Sequence, residues 1–322
     1  MLVIHARGNE TLGIGNLARS FELIKYLTPK YNIVGVFECD EDLFSRYNLK
    51  NIHRSENLEE SLKLIKQNNS TIYICDIVAP DKKLSDSLRE IGIKKIIHFN
   101  EIEYGFEPDI LFVTDGFDYN IEANCEIYRG FEYYIVGEEI LKNRKKEFSP
   151  IKNIQNVLIC FGGADPAHFT EYFTKIINDS KYNYSIVLGP AMPKERKTLI
   201  KSIKKNNITY IDSPRNMTQL LLKSDLLVTL GGMTTYEAMC LGIPASAVRW
   251  EYLSYNVKSF GEKKMINDLG DIEDAYDKLL NLDIKEVNNI CKNAFNIIDG
   301  KALQNIESVI NSIEGIENDT IK

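Results

Sequence analysis

The chain has 322 residues, 44% apolar and 26% charged, with a net charge of −7. This is the balance of a globular protein large enough for two ordinary domains. The acidic excess argues against nucleic acid as a partner, and no apolar run reaches the length of a membrane span. Nothing behind the strand-like start Met1–Ala6 reads as a cleavable signal. The six cysteines (Cys39, Cys75, Cys125, Cys160, Cys240, Cys291) are scattered and mostly apolar-flanked. They read as buried free thiols of a cytoplasmic protein, not as a disulfide frame or metal site.

In chain order, Leu2–Ala6 is predicted as a strand. A polar loop follows to Gly13-Ile14-Gly15, and Asn16, a good N-cap type, opens a helix to about Leu27. Strands are expected at Ile33–Phe37, Thr71–Val78, Lys95–Phe99, Ile110–Val113 and Tyr133–Val136. Helices are expected at Asp40–Tyr47, Leu58–Gln67 and Asp81–Ile91. Such alternation means a parallel sheet covered on both faces, with ligands beyond the carboxyl ends of its strands. His5, Arg7, Asp76, His98, Asn100 and Glu101 lie at those ends. The charged stretch Lys142–Asn153, with Pro150, reads as a linker and sets the expected domains at 1–147 and 148–322.

The second half repeats the pattern. A strand at Asn156–Phe161 leads into Gly162-Gly163-Ala164-Asp165-Pro166 and a helix. A strand, a helix and a strand follow at Tyr184–Leu188, Lys194–Lys205 and Ile208–Ile211, with a short helix at Asn216–Leu222. Next comes the most informative stretch, Ser224–Pro244: a buried strand, the turn Gly231-Gly232, and a helix from Thr234 stopped by Gly242 and Pro244. Backbone N–H groups and a helix dipole meet there, which suits a phosphate. Glu237 in the first turn can instead accept from sugar hydroxyls, or simply complement the dipole. Further elements are expected at Ala245–Val248, Glu251–Phe260, Met265-Ile266, Ile272–Leu280, Ile284–Ile298 and Leu303–Ile313. The fold class is therefore α/β, with two doubly wound Rossmann-like domains. The site is expected in the cleft between them, lined by Gly13 and Gly15 on one side and by Gly162, Gly163, Gly231, Gly232 and Glu237 on the other.

These residues resemble a family with the GT-B architecture: the UDP-sugar hydrolases of pseudaminic acid biosynthesis and the related spore-coat polysaccharide proteins. Phe161–Pro166 is similar to its FGGxDP, and Asn216-Met217 with Ser224-Asp225-Leu226 to its NM…(A/S)DL. Gly231–Glu237 with Leu241–Pro244 is similar to its GGsTxxE…LGiP. The resemblance implies that Gly231, Gly232 and Thr234 meet the phosphates of a UDP-sugar, Glu237 the ribose, and the Met217 loop the base. It also implies no metal and no cofactor. In the first half the family's R-x-D and G-x-G-H-x-x-R correspond to Arg7-Gly8-Asn9 and Gly13-Ile14-Gly15-Asn16-Leu17-Ala18-Arg19. Asn9 stands where the family has Asp and Asn16 where it has the catalytic His. Asn100-Glu101 replaces its Asp-Asp, and its Gln or His has no counterpart among Glu251–Asn256.

The resemblance implies that the sugar end is catalysed around Asn16, with Arg19 at a phosphate or carboxylate. An amide does not titrate near neutral pH. His5 and Asp76 are therefore the candidates for the proton, with Glu10, His98 and Glu101 behind them; His5, Asp76 and His98 also fit packed strand residues. The implied reaction is hydrolysis of a UDP-amino sugar in surface-glycan biosynthesis. A glycosyltransferase and a silent nucleotide-sugar-binding protein are the alternatives. Trp250 and His168 fit packing and a helix start. The basic helix with Lys194, Arg196, Lys197, Lys201, Lys204 and Lys205 fits a solvated face, or a peripheral contact with a membrane surface. The sequence does not set an oligomeric state.

Overall fold

The computed structural model describes all residues except 10, 100–103, 115–120, 122, 179, 252 and 314–322. The chain divides into two compact units, Met1–Ile135 with the C-terminal stretch from Gly300, and Val136–Asp299. The expected division at 147/148 assigned that C-terminal stretch to the second half.

The first unit opens with β1 (Leu2–Arg7), α1 (Gly15–Leu27), β2 (Ile33–Glu38), α2 (Glu41–Phe44), β3 (Ile52–Ser55) and α3 (Leu58–Gln67). It continues with β4 (Ile72–Asp76), α4 (Lys82–Glu90), β5 (Lys95–Phe99), β6 (Ile110–Val113) and β7 (Glu126–Arg129). Its sheet is parallel in the order β3-β2-β1-β4-β5-β6-β7. The order reverses at β1, so the crevice expected of such sheets lies past the ends of β1 and β4. The central strands β1, β2 and β4 are buried on both faces, and successive residues alternate between them. Val3, Val36, Tyr73 and Cys75 share one core cluster with Ile65 of α3 and with Leu84 and Leu88 of α4. The other face receives α1. Gly35 lets it approach, since a Cβ there would stand 2.6 Å from Ile24 Cδ1.

The second unit comprises α5 (Glu138–Asn143), β8 (Asn156–Ile159), α6 (Phe169–Ile176), β9 (Asn183–Leu188), α7 (Lys194–Ser202), β10 (Ile208–Asp212) and α8 (Met217–Leu222). Then follow β11 (Leu226–Thr229), α9 (Met233–Leu241), β12 (Ala245–Val248), α10 (Leu253–Glu262), β13 (Asn267–Gly270), α11 (Ile272–Leu280) and α12 (Ile284–Ile297). Its sheet is also parallel, ordered β10-β9-β8-β11-β12-β13, with the reversal between β8 and β11. The final helix, α13 (Ala302–Ser312), returns to the first unit and packs on α1.

Several elements differ from expectation. Tyr133–Val136 is not a strand: a 3-10 turn occupies Phe131–Tyr133, and β7 comes before it. Part of the expected linker is helical, and Arg144 just beyond α5 is an anchor. Its guanidinium donates to the carbonyls of Cys240 and Phe295, the latter at 2.8 Å, and lies 3.8 Å from the Phe295 ring centroid. Asn16 is not an N-cap: α1 starts a residue earlier, behind Ile14. The expected strand at Met265-Ile266 falls just ahead of β13. α9 buries Tyr236, Met239 and Cys240 as well as the expected Ala238 and Leu241. It packs against β11 and β12 on one side and α5, α8 and α12 on others, which removes any solvent face for most of its length.

Candidate functional site

In the first unit the loop after β1 is held shut by Asn9. Its Oδ1 accepts from Thr11 N at 2.9 Å and Leu12 N at 2.7 Å, and its backbone pairs with Gly13 in both directions. An aspartate would accept the same two bonds, so the amide at this position keeps the loop's geometry while removing a charge. Gly13 has a φ of +82°, and a Cβ on Gly13 or Gly15 would meet nothing within 4 Å. The two glycines therefore leave open space before α1. Gly8 serves packing instead: a Cβ there would lie 2.6 Å from Leu17 Cδ1.

Asn16, Arg19 and Asp76 come together on the α1 face. Asp76 ends β4 and is 2% exposed. Its Oδ2 accepts from Arg19 Nε at 3.0 Å and from the Ser20 hydroxyl at 2.8 Å, and its Oδ1 accepts from Arg19 Nη2. The same Nη2 lies 3.4 Å from Asn16 Oδ1, and the guanidinium carbon sits 5.3 Å from the Phe99 ring centroid. Both carboxylate oxygens of Asp76 are thus engaged inside the protein, and Asp76 holds Arg19 in place.

His5 lies on the opposite face. It pairs in register with Cys75, one residue before Asp76, so the strand pleat sends the two side chains apart. His5 is fully buried, its Nδ1 is 2.8 Å from the Tyr73 hydroxyl, and its Nε2 is 3.6 Å from Glu38 Oε2. Burial lowers its pKa, against the pull of the Glu38 charge. Burial raises the Glu38 carboxyl, but its contacts with His5 and Arg7 outweigh this and hold it below its ordinary value. Arg7 Nη2 donates to Glu38 Oε2 at 2.9 Å and lines a 610 Å³ pocket with Ile77, Pro80, Lys83 and Tyr104. His98 is buried against Phe106, with Nδ1 3.1 Å from the Cys75 carbonyl. Glu10, Asn100 and Glu101 lie outside the described residues.

In the second unit the glycine loops follow β8 and β11, the two strands at which the order reverses. Gly162 and Gly231 have φ values of +87° and +82°. A Cβ on Gly162 or Gly232 would meet nothing, whereas one on Gly231 would stand 2.8 Å from Val257 Cγ2. α9 begins behind Gly232 with no side-chain cap and no acidic residue in its first turn. Glu237, expected in the first turn, thus lies beyond it, and with Thr235 N already donating to the Gly232 carbonyl at 2.9 Å the leading N–H groups left to a ligand are those of Met233 and Thr234. Thr234 of α9 bonds the Cys160 thiol just past β8, and the Glu237 charge acts on the same group. Burial pushes the Cys160 thiol there up to about 11; the Gly162 N–H and the Thr234 hydroxyl oppose this and the Glu237 charge adds to it. Met217 opens α8, whose cap is Asn216, accepting from Gln219 N at 3.0 Å.

Gly189, which the sequence reading did not single out, and Asp165 and Arg196, to which it gave no such role, brace the Gly162-Gly163 loop. Gly189 ends β9 so close that a Cβ would be 2.2 Å from the Gly163 oxygen. Asp165 turns back with φ +47° and accepts from Phe169 N and Thr170 N at 3.1 and 3.0 Å, capping α6. Burial pushes its carboxyl up to about 6, against those donors and Arg196. Arg196 of α7 donates to the Asp165 carbonyl at 2.9 Å and to both Glu171 oxygens. The hints in the sequence were Asp165 within the FGGxDP-like stretch and the basic helix itself. Arg196, Lys197, Lys201 and Lys205 of that stretch all bond within the unit. Trp250 packs against the core of the second unit, and His168 precedes α6 with φ +58°.

Among the described residues no His, Cys, Asp or Glu cluster could hold a metal ion, and no helix is long and apolar enough to cross a membrane.

The fold is GT-B: two Rossmann-like domains, as in the S. aureus MnaA–UDP co-structure. That structure matches 97% of each chain with a TM-score of 0.62 at 12% identity. Among curated proteins the chain is similar to the spore coat polysaccharide biosynthesis protein SpsG of Bacillus subtilis, 21% identical over 336 residues and covering 96% of this chain and 97% of that one. It is also 29% identical over 265 residues to an uncharacterized protein of Methanocaldococcus jannaschii. That match takes in 76% of this chain and spans about half, 54%, of the relative's length. No protein-family model matches the chain.

Proposed function

We propose that the chain is a nucleotide-sugar enzyme of surface-glycan biosynthesis that binds a UDP-amino sugar and cleaves the bond between sugar and nucleotide. The observation that carries this reading is the second unit's switch point. Two left-handed glycines, an uncapped helix start, Thr234 and Glu237 converge at the ends of β8 and β11. Donors and dipole there suit a diphosphate, and an acceptor carboxylate suits ribose hydroxyls. Gly162, Gly163, Gly231, Gly232 and Thr234 take the diphosphate, Glu237 the ribose and the Met217 loop the base. Likeness to SpsG and to a fold seen with UDP supports the same reading. The sugar-end chemistry is assigned to Asn16, with Gly13 and Gly15 giving it room and Arg19 behind it. Asp76 acts through Arg19, and His5 through Glu38, which holds Arg7.

Water is the leading acceptor. Transfer to an alcohol is the second reading: the amides at Asn9 and Asn16 take a proton from neither acceptor, so a diphosphate oxygen that takes it serves an alcohol as well as water. In transfer, the departing diphosphate oxygen can accept the alcohol's proton as the new glycosidic bond forms.

Incubating the purified protein with UDP-N-acetylhexosamines and following UDP release tests the proposal. Release without an added acceptor is the expected result. Release only with an alcohol acceptor replaces hydrolysis by transfer, and UDP binding without turnover leaves a silent binding protein. Failure to bind UDP sinks the reading altogether.

A further inference from the structure

We infer that Asn16 acts as a hydrogen-bond donor to an oxygen atom of the bound ligand, and that Ser20, Asp76 and Arg19 are positioning residues that fix its carboxamide in that orientation. The inference rests on the nucleotide-sugar reading and deepens it.

The argument starts at the buried end of the chain of contacts. Asp76 receives both Nε and Nη2 of Arg19, and a two-point bond from a carboxylate fixes the plane of a guanidinium. Ser20 donates to the same carboxylate from the next residue of α1, and the Phe99 ring lies against the guanidinium. With its plane fixed, Arg19 directs Nη2 at Asn16 from one turn further along the helix. A guanidinium has donors only. Whatever faces it must be an acceptor, so the amide oxygen turns inward and the NH2 group turns away.

Among the described residues that NH2 group has no hydrogen-bond partner, and Asn16 is only half-buried. Gly13 and Gly15 keep the space before it open. Two donors left without a partner on a half-buried side chain select an acceptor oxygen and disfavour an ammonium or amide N–H. In a nucleotide sugar that oxygen belongs either to the diphosphate or to the sugar.

The test uses the full chain with 15N-labelled asparagine and glycine. The Asn16 side-chain signal is identified by its loss in Asn16→Asp. UDP and then a UDP-N-acetylhexosamine are added while the Asn16 NH2 pair and the Gly232 backbone N–H are followed. A shift of the Asn16 pair is expected. If UDP alone produces it, the oxygen is a phosphate's; if only the sugar nucleotide does, it is the sugar's.

Asn16→Asp replaces a donor by an acceptor and is expected to lower kcat/KM about tenfold to a hundredfold, with UDP affinity falling alongside it where the oxygen is a phosphate's and holding where it is the sugar's. Arg19→Lys removes the fork. It is expected to abolish the Asn16 shift, a readout that a purely structural arginine would leave unchanged. If Arg19→Lys does not fold, Asn16→Asp carries the test. An Asn16 signal that stays put while Gly232 moves overturns this inference alone. If neither moves, the nucleotide reading falls and this inference with it.

Discussion

His5 is a histidine built into the middle of a parallel sheet, and its neutral state follows from that position. Its Nδ1 is engaged by Tyr73, and its Nε2 stands 3.6 Å from the Glu38 carboxylate. Burial is the largest influence on its pKa and lowers it, and the carboxylate opposes without winning. The sign for stability follows. Above the ordinary value of about 6.5 neither the native nor the unfolded chain binds the proton. Below it the unfolded histidine becomes charged while the native one stays neutral, so stability is lost as pH falls, by up to about 1.4 kcal/mol per pH unit. His5→Phe keeps a ring beside Tyr73 but orphans the hydroxyl, at a cost of about 1–3 kcal/mol. The variant should therefore be less stable than the native chain at pH 8, and the gap should narrow between pH 6.5 and pH 5. Chemical denaturation of both proteins across that range measures it. A gap that stays constant would mean His5 takes up its proton in the native state as readily as in the unfolded one.

At the scale of elements, the strand–glycine loop–helix units were legible because their signals are local. Short apolar runs, paired glycines and a helix stop at Gly242 are all readable within a dozen residues, and Gly242 adopts the left-handed φ of +72° that a helix end requires. The edge strands β3 and β7 were missed because they are short and incompletely buried, so their sequences carry no clean apolar pattern. The contacts that shape the candidate site were illegible for a different reason. Arg144 meets Cys240, Arg196 meets Asp165, and Gly189 meets Gly163, pairs that only the fold brings together. His5 and Asp76 illustrate the same limit: both were read as residues at strand ends, but the pleat sends them to opposite faces. The close approach of β9 to the first glycine loop gives a sharp prediction. Gly189→Ala places a methyl 2.2 Å from a backbone oxygen that has no flexible side chain to move. The Gly162-Gly163 loop must shift, so UDP affinity should fall by at least tenfold while the chain remains folded. Titration calorimetry with circular dichroism as the control checks this, and unchanged affinity would remove that loop from the nucleotide site.

At the scale of the molecule, the path of the chain matters more than its midpoint. The polypeptide builds the first unit, completes the second, and then returns α13 to the first. Leu303, Ile306, Val309 and Ile310 of that helix are buried. Glu307 accepts from Tyr26 at 2.7 Å and Lys30 at 2.6 Å, and Tyr31 donates to Asn311 at 2.5 Å. These partners sit at or just after the end of α1, the helix that also carries Asn16 and Arg19. Burying each of the four apolar side chains contributes about 1.5–3 kcal/mol, so their sum rivals the roughly 5–15 kcal/mol by which a whole domain is stable. Ending the chain at Asp299 should therefore unfold the first unit selectively. The second unit keeps every element of its own core, since α6, α7, α9, α11 and α12 all precede that point. Hydrogen exchange on the truncated chain should find the amides of β1, β2 and β4 unprotected and those of β8, β9 and β11 still protected. UDP binding should survive and sugar-nucleotide turnover should not. Protection retained in both sheets would show that the first unit's core stands without α13, and loss in both would show that the two sheets unfold as one cooperative body.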